Sequence, residues 1–86
     1  MRETPQVFIS RFRCPSEAVA RGLVNSFLVD GLYPELHQPP VPDLPWEVAV
    51  PVQLVATEAN LAELRAVMGD AAQRFGASFD GCDHHG

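Results

Sequence analysis

The sequence predicts a single small α+β domain in which two helices pack on a four-stranded sheet. Its 86 residues suit one domain, and its 47% apolar and 20% charged residues match an ordinary globular composition. Apolar residues alternate in some segments, as strands require, and recur every three or four residues in others, as helices require. The resulting element order is β-α-β-β-α-β.

The first strand is expected over residues 6–12, which are rich in aromatic and β-branched side chains. Both of its faces carry apolar residues, which predicts an interior strand. A helix then opens at residues 14–17, where Pro15 suits the first turn and either Ser16 or Cys14 can cap the end. Gly31 is the expected stop, because glycine tolerates positive φ.

The apolar stripe of this first helix passes through Val19, Leu23 and Phe27, with Val24 and Leu28 one position away. Gly22 interrupts the helix at a cost of about 1 kcal/mol relative to alanine. A close approach between the helix and a strand would explain a glycine at this position.

A short second strand is expected over residues 32–37, and Pro34 places it at a sheet edge because proline donates no ladder hydrogen bond. Residues 38–45 contain four prolines and predict a stiff extended connection. The favoured interpretation is a hairpin loop. The alternative is a proline-rich ligand for another domain.

The third strand is expected over residues 46–55, where one face is apolar. Its apolar positions alternate strictly with the others: Trp46, Val48, Val50, Val52 and Leu54. Pro51 on the other face predicts a bulge or a break.

The second helix is expected to begin after Thr57, its cap, although Asn60 leaves the capping box incomplete. Gly76 should end it. Its core stripe is Leu61, Leu64, Met68, Ala72 and Phe75. A last short strand follows at residues 77–80, and residues 81–86 are expected to be a flexible polar tail.

Two right-handed crossovers around a hairpin predict a ferredoxin-like sandwich over residues 1–86, with an antiparallel sheet and both helices on one face. The other face is left uncovered and carries some apolar residues. Such a face often marks an interaction surface. A homodimer formed through it is one expectation.

The net charge of the chain indicates which kind of macromolecule it could bind. Eleven acidic residues oppose six basic ones, which are all arginine and form no dense cluster. This balance argues against nucleic acid as a direct partner and favours a basic protein. No apolar run is long enough to cross a membrane, and the first five residues lack a secretory pattern, so the expected location is the cytoplasm.

The sequence offers no active site, metal site or cofactor site that we would defend. Cys82 and Asp83 precede His84 and His85, and all four are metal-ligand types, but a solvated tail is the favoured interpretation. Cys14 and Cys82 match no metal or redox spacing, and whether they meet is left open. Cys14 precedes a helix N-terminus, where a thiolate is stabilised, and a reactive thiol is the alternative to a structural or capping role.

Several short motifs resemble the RraB-like family, the regulators of ribonuclease E activity B. Residues 45–48 read Pro-Trp-Glu-Val after a proline-rich loop, residues 55–57 read Val-Ala-Thr, and residues 74–81 read Arg-Phe-Gly-Ala-Ser-Phe-Asp-Gly. The Asp-Gly turn before Tyr33 also fits, and the resemblance spans roughly residues 6–82. Cys82 stands where the family commonly has tryptophan, and the acidic extensions of the enterobacterial members are absent.

The resemblance implies a ferredoxin-like fold and a non-enzymatic protein that lowers the activity of ribonuclease E by binding it. The family motif matches Trp46, Phe79, Asp80 and Gly81. The residues expected to contact a protein partner are two aromatic anchors and four carboxylates: Tyr33, Trp46, Glu35, Glu47, Asp80 and Asp83.

Two other functions stay open. The first is a regulatory domain that binds a small ligand, with anion sites at the helix N-termini near residues 14–17 and 57–60. The second is an enzyme of the dimeric ferredoxin-like kind. The absence of converging histidine, arginine and acidic residues in the core stripes argues against it.

Overall fold

A computed structural model of the chain describes residues 4–85. The element order is the expected one, β-α-β-β-α-β. The bounds are β1 Gln6–Cys14, α1 Glu17–Val29, β2 Glu35–His37, β3 Trp46–Leu54, α2 Glu58–Phe75 and β4 Ser78–His85.

The four strands form one antiparallel sheet in the order β2-β3-β1-β4. This order confirms the ferredoxin-like fold. It places β1 in the interior and β2 at an edge, as the sequence predicted. β1 pairs with β3 along its whole length, from Gln6 opposite Leu54 to Cys14 opposite Trp46.

The core lies between one sheet face and the two helices. β1 contributes Phe8 and Phe12, whose ring packs 5.4 Å from the ring of Phe27 on α1. β3 contributes Val48 and Val50, which confirms the apolar face expected from the alternation. Ala49 is also buried although it faces the other way, and the alternation did not predict its burial.

Both helices begin and end where local chemistry predicted. The Ser16 side chain accepts a hydrogen bond from the Val19 backbone N–H, so Ser16 rather than Cys14 caps α1. At the other end, the Leu32 N–H donates to the Phe27 carbonyl across Gly31, which has φ +85°. This arrangement is the Schellman motif, and it satisfies carbonyls that the helix leaves free.

The second helix repeats this logic. The Thr57 hydroxyl accepts from the Asn60 N–H, and the Asn60 side-chain amide donates to the Val55 carbonyl at 2.8 Å. Asn60 thus ties the cap to the preceding strand instead of completing a capping box. Gly76, at φ +78°, ends the helix. Leu64, Met68 and Ala72 are buried as expected, and Ala71 is buried as well.

The sequence predicted that Gly22 lies close to a strand, and this prediction is wrong. A methyl group at Gly22 would lie 3.4 Å from a ring carbon of Phe75, so this position faces α2 and not a strand. The two helices pack on each other as well as on the sheet.

The bulge or break expected at Pro51 is also wrong. The register of β3 against β1 passes Pro51 without a shift. β2 is shorter than expected and pairs only with Glu47–Ala49. Within residues 4–85, no strand therefore lies beside Pro51 on the far side from β1, and a missing donor breaks no ladder bond there.

Residues 38–45 connect the antiparallel strands β2 and β3, which confirms the hairpin loop. The flexible tail expected over residues 81–86 is wrong for residues 81–85. They continue β4, and Cys82 pairs with Ser10 while His84 pairs with Phe8. Gly81, at φ +103°, absorbs a register shift that lets the strand resume. Gly86 and residues 1–3 lie outside the described residues.

Candidate functional site

The sheet face opposite the helices is the candidate site, which we name the open face. Strand alternation sends Arg11 and Arg13 of β1 to this face, away from Phe12. Their cross-strand partners on β3 are Ala49 and Glu47. β2 continues the same rows, since Glu35 pairs with Ala49 and His37 pairs with Glu47.

Two ion pairs join β1 to β4 on the open face. Arg11 Nε lies 3.0 Å from an Asp83 carboxylate oxygen, and Arg13 Nε lies 2.8 Å from Asp80. Both arginines are more than half exposed, so each pair contributes at most about 1 kcal/mol to stability. The pairs place both guanidinium groups over β4.

The bulge at Gly81 explains how both aspartates reach one face. Asp80 and Asp83 are three residues apart, and in a regular strand they would point to opposite faces. The extra residue at the bulge reverses the alternation between them. A glycine inside a polar segment at a strand end is the sequence signal for this bulge, and the same pattern also predicts a flexible tail.

The open face carries an excess of negative charge. Among the described residues its two arginines face four carboxylates: Glu35, Glu47, Asp80 and Asp83. The arginines pair with the aspartates, which leaves the glutamates without an arginine partner. Glu35 lies 3.5 Å from His37 Nε2. The four predicted carboxylates are thus brought together, and Glu35 and Glu47 form an acidic edge that has no arginine partner among the described residues.

The two predicted aromatic anchors do not join them. Trp46 lies on the helix side of β3, half-buried against the core. Tyr33 precedes β2 and is 79% exposed. Of the family-matched residues, Phe79 packs on Phe12 with ring centroids 5.3 Å apart. Trp46 and Phe79 therefore serve the core. The ion-pairing role of Arg11 and Arg13 was missed, because it depends on the β1–β4 register.

The two cysteines do not meet. Cys82 pairs with Ser10, four residues before Cys14 along β1, which separates them by roughly 13 Å and excludes a disulfide in this fold. Both thiols are free. The Ser10 Oγ and Cys82 Sγ atoms are 3.3 Å apart and share a hydrogen bond, which satisfies the buried serine.

Cys14 is not an activated thiol. It is fully buried at the end of β1. Burial raises the pKa of the Cys14 thiol, because desolvation disfavours the thiolate. The stabilised thiolate considered for a helix N-terminus is therefore wrong, and the Ser16 side chain occupies the capping position instead.

The histidine-rich end of the chain does not gather metal ligands. His84 packs on Phe8 on the helix side, with the ring centroids 5.2 Å apart and the ring planes tilted by 43°, whereas Asp83 pairs with Arg11 on the open face. The His85 side chain lies outside what the structure describes. Among the described side chains, no three histidine, cysteine or acidic groups are placed to share a metal ion.

The helix N-termini proposed as anion sites are already occupied by groups of the chain itself. Ser16 and Thr57 cap the backbone N–H groups, and an acidic residue follows each cap, Glu17 and Glu58. Glu17 is also paired with Arg21 at 2.6 Å. A negative side chain in the first turn competes with a bound anion.

Comparisons with protein-family models, with curated proteins and with solved structures gave no match. In the part of the chain that the structure describes, neither helix is long and apolar enough to span a bilayer.

Proposed function

We propose that the protein is a non-enzymatic interaction module that binds a basic protein partner through the open face. The observation that supports this most is the placement of Glu35, Glu47, Asp80 and Asp83 on one uncovered face. Since Arg11 and Arg13 neutralise only the aspartates, the glutamate edge is left to pair with arginine or lysine of a partner.

The resemblance to the RraB-like regulators makes ribonuclease E the first partner to test, with binding lowering its activity. The protein would act in the bacterial cytoplasm. Charge of this kind steers association and sets orientation, and its contribution falls as salt screens it. Affinity for the partner should therefore weaken at higher ionic strength.

The test compares ribonuclease E binding by the native chain and by the double variant Glu35→Gln/Glu47→Gln. Fluorescence anisotropy with labelled protein gives the dissociation constant at low and at high salt. We expect the double variant to bind about three- to tenfold more weakly, as two exposed charge pairs would allow. The salt dependence should shrink with it.

The matched control is Asp43→Asn/Glu58→Gln, which removes the same charge from a loop and a helix outside the open face. Its affinity should match that of the native chain. Equal weakening in both double variants would mean that net charge rather than this face decides binding. If the native chain fails to bind ribonuclease E at low salt, that partner is wrong.

A further inference from the structure

The helical layer is shorter than the sheet that it covers. β3 has nine residues and extends about 30 Å, whereas the 13 residues of α1 extend about 20 Å. α1 packs on β1, β2 and β3, and because it follows Cys14, which pairs with Trp46, it starts at the Trp46 end of β3. About 10 Å of sheet, the length of two helical turns, is left without a helix on the α1 side.

A groove of about 460 Å³ lies at this position. Its floor is Val52 and Leu54 on the helix side of β3. One wall is the side of α2 that carries Leu64, Val67 and Met68, of which Leu64 and Met68 are buried. Leu32 after α1 forms another wall. The lining is mostly apolar, with Asn60 and Glu63 as its polar members. A groove of this size is in the range of binding sites.

Exposed apolar side chains lie in the groove wall and close in sequence to Leu32, which lines it. Val67, in its wall, is 54% exposed, and Leu32 is flanked in sequence by the exposed Leu28, Val29 and Tyr33. These are four of the six large apolar residues that the described chain exposes. Apolar area that extends beyond a cavity indicates a partner larger than the cavity.

The groove lining also carries a negative charge. Glu63 is the charged residue of the groove wall, and within residues 4–85 it takes part in no ion pair. Asp30 lies two residues before Leu32. The occupant should therefore carry a positive group beside its apolar surface.

The free edge of β3 indicates whether a strand or a helix would occupy the groove. Beyond Ala49 this strand has no partner on the β2 side in the described part of the chain, so a strand from another protein is one candidate occupant. Pro51 offers no N–H there, and Pro34 precedes β2. Prolines at an edge oppose strand addition. A helix lying in the groove needs no such hydrogen bonds.

We propose that this groove binds about two turns of an amphipathic helix from a partner protein, in line with α1 and with a lysine or arginine facing Glu63. The helix would insert apolar residues at i, i+3 or i+4 and i+7 spacing between β3 and α2. The groove lies on the opposite side of the sheet from the open face, so this inference stands apart from the function proposed above.

The probe is a synthetic helical peptide of about 14 residues, with leucines at i, i+3 and i+7 and lysines on its other face. A second peptide has the same composition with the leucines dispersed. NMR titration of the ¹⁵N-labelled chain should shift the amides of Leu32, Leu54 and Val67 with the first peptide alone. The amides of Arg11 and Ala49 on the open face should not move.

Val67→Asp should weaken binding by about tenfold or more, because it places a charge in the apolar wall. Val41→Asp is its control, since Val41 is a valine of similar exposure, 49%, in the proline-rich loop. Glu63→Gln should weaken binding a few-fold and reduce its salt dependence. Both positions are exposed, so the variants should fold.

Three outcomes would overturn the proposal. One is equal binding of both peptides, or shifts confined to the open face, which would indicate charge attraction alone. Another is amide shifts at the groove that depend on protein concentration without peptide, which would make a second copy the occupant. The third is saturation of the groove by a medium-chain fatty acid when neither peptide binds.

Discussion

Gly22 and Gly69 lie inside the two helices without a conformational need for glycine. Neither has positive φ. A methyl group at Gly22 would make ordinary contact with Phe75 at 3.4 Å, and one at Gly69 would meet nothing within 4 Å. We expect Gly22→Ala and Gly69→Ala each to raise the free energy of unfolding by about 0.5–1 kcal/mol.

Urea denaturation of the single variants measures this gain. Gly76→Ala is the control with the opposite sign, because φ is +78° at that position and a left-handed residue with a side chain costs roughly 1–2 kcal/mol. Loss of stability in Gly22→Ala would mean that Phe75 cannot accommodate the methyl group.

The two thiols should differ in reactivity. Cys14 is fully buried and its pKa is raised by desolvation, whereas Cys82 is only partly buried. With iodoacetamide at neutral pH, we expect Cys82 to be alkylated first and Cys14 only at the rate of unfolding. Mass spectrometry of peptides over time measures both rates. Equal rates in the folded chain would contradict the burial of Cys14.

The raised pKa of Cys14 also makes stability depend on pH. The buried thiol stays neutral in the folded state, while the unfolded thiol ionises above about pH 8.5. Its contribution to stability is therefore complete below that pH and is lost as the pH rises through the folded-state pKa. Cys14→Ala should therefore reduce the decrease of the urea midpoint at alkaline pH. Cys82→Ala should leave that decrease unchanged.

The roles of single residues could be predicted from the sequence where they depend only on nearby residues in the chain. Thr57 and Gly76 could be assigned, and the cap of α1 narrowed to Ser16 or Cys14, because capping depends on neighbours within four residues. The partner of Gly22 could not, since Phe75 is 53 residues away and meets it only after both helices dock. The burial of Ala49 likewise depends on its cross-strand partners, Arg11 on β1 and Glu35 on β2, which have long side chains.

Among the elements, β4 departs most from its pattern. Residues 81–85 look like a tail because they are polar and contain glycine, yet they lie along β1 as far as Val7 opposite His85. Periodicity fails here because the bulge at Gly81 changes the alternation midway. Contacts with β1 hold this segment in place, because His84 packs on Phe8 and Asp83 forms an ion pair with Arg11.

Removal of residues 82–86 should therefore destabilise the domain. It deletes four cross-strand pairs, those of Cys82, Asp83, His84 and His85 with β1. At about 0.2–1 kcal/mol each, the expected loss is about 1–4 kcal/mol. Urea denaturation measures it, and a chain that lacks only Gly86 is the control. Equal stability of the two truncated chains would restore the interpretation of a tail.

The order of the elements was the most predictable property of the whole molecule. Two helical periods separated by alternating strands leave few arrangements once crossovers are right-handed. The contents of each face were less predictable. The four carboxylates could be named from the sequence, but their meeting on one face depends on strand register and on the bulge. The groove depends on the lengths of α1 and β2, which set how much of β3 is left uncovered.

The charge of the open face also fixes how a homodimer through that face would behave. Four carboxylates and two arginines give each copy an excess of two negative charges there. Two such faces repel each other, and salt screens this repulsion. We therefore expect any dimer formed through the open face to strengthen as salt rises, whereas binding of a basic partner weakens.

Sedimentation equilibrium at low and high salt measures the dimer constant directly. Glu47→Lys should strengthen the dimer at low salt and flatten its salt dependence, because it places a cation opposite the acidic edge of the second copy. Asp43→Lys changes the net charge equally in the loop of residues 38–45 and should have a smaller effect. A dimer that is tightest at low salt must instead bring unlike charges together, which would place its interface elsewhere on the molecule.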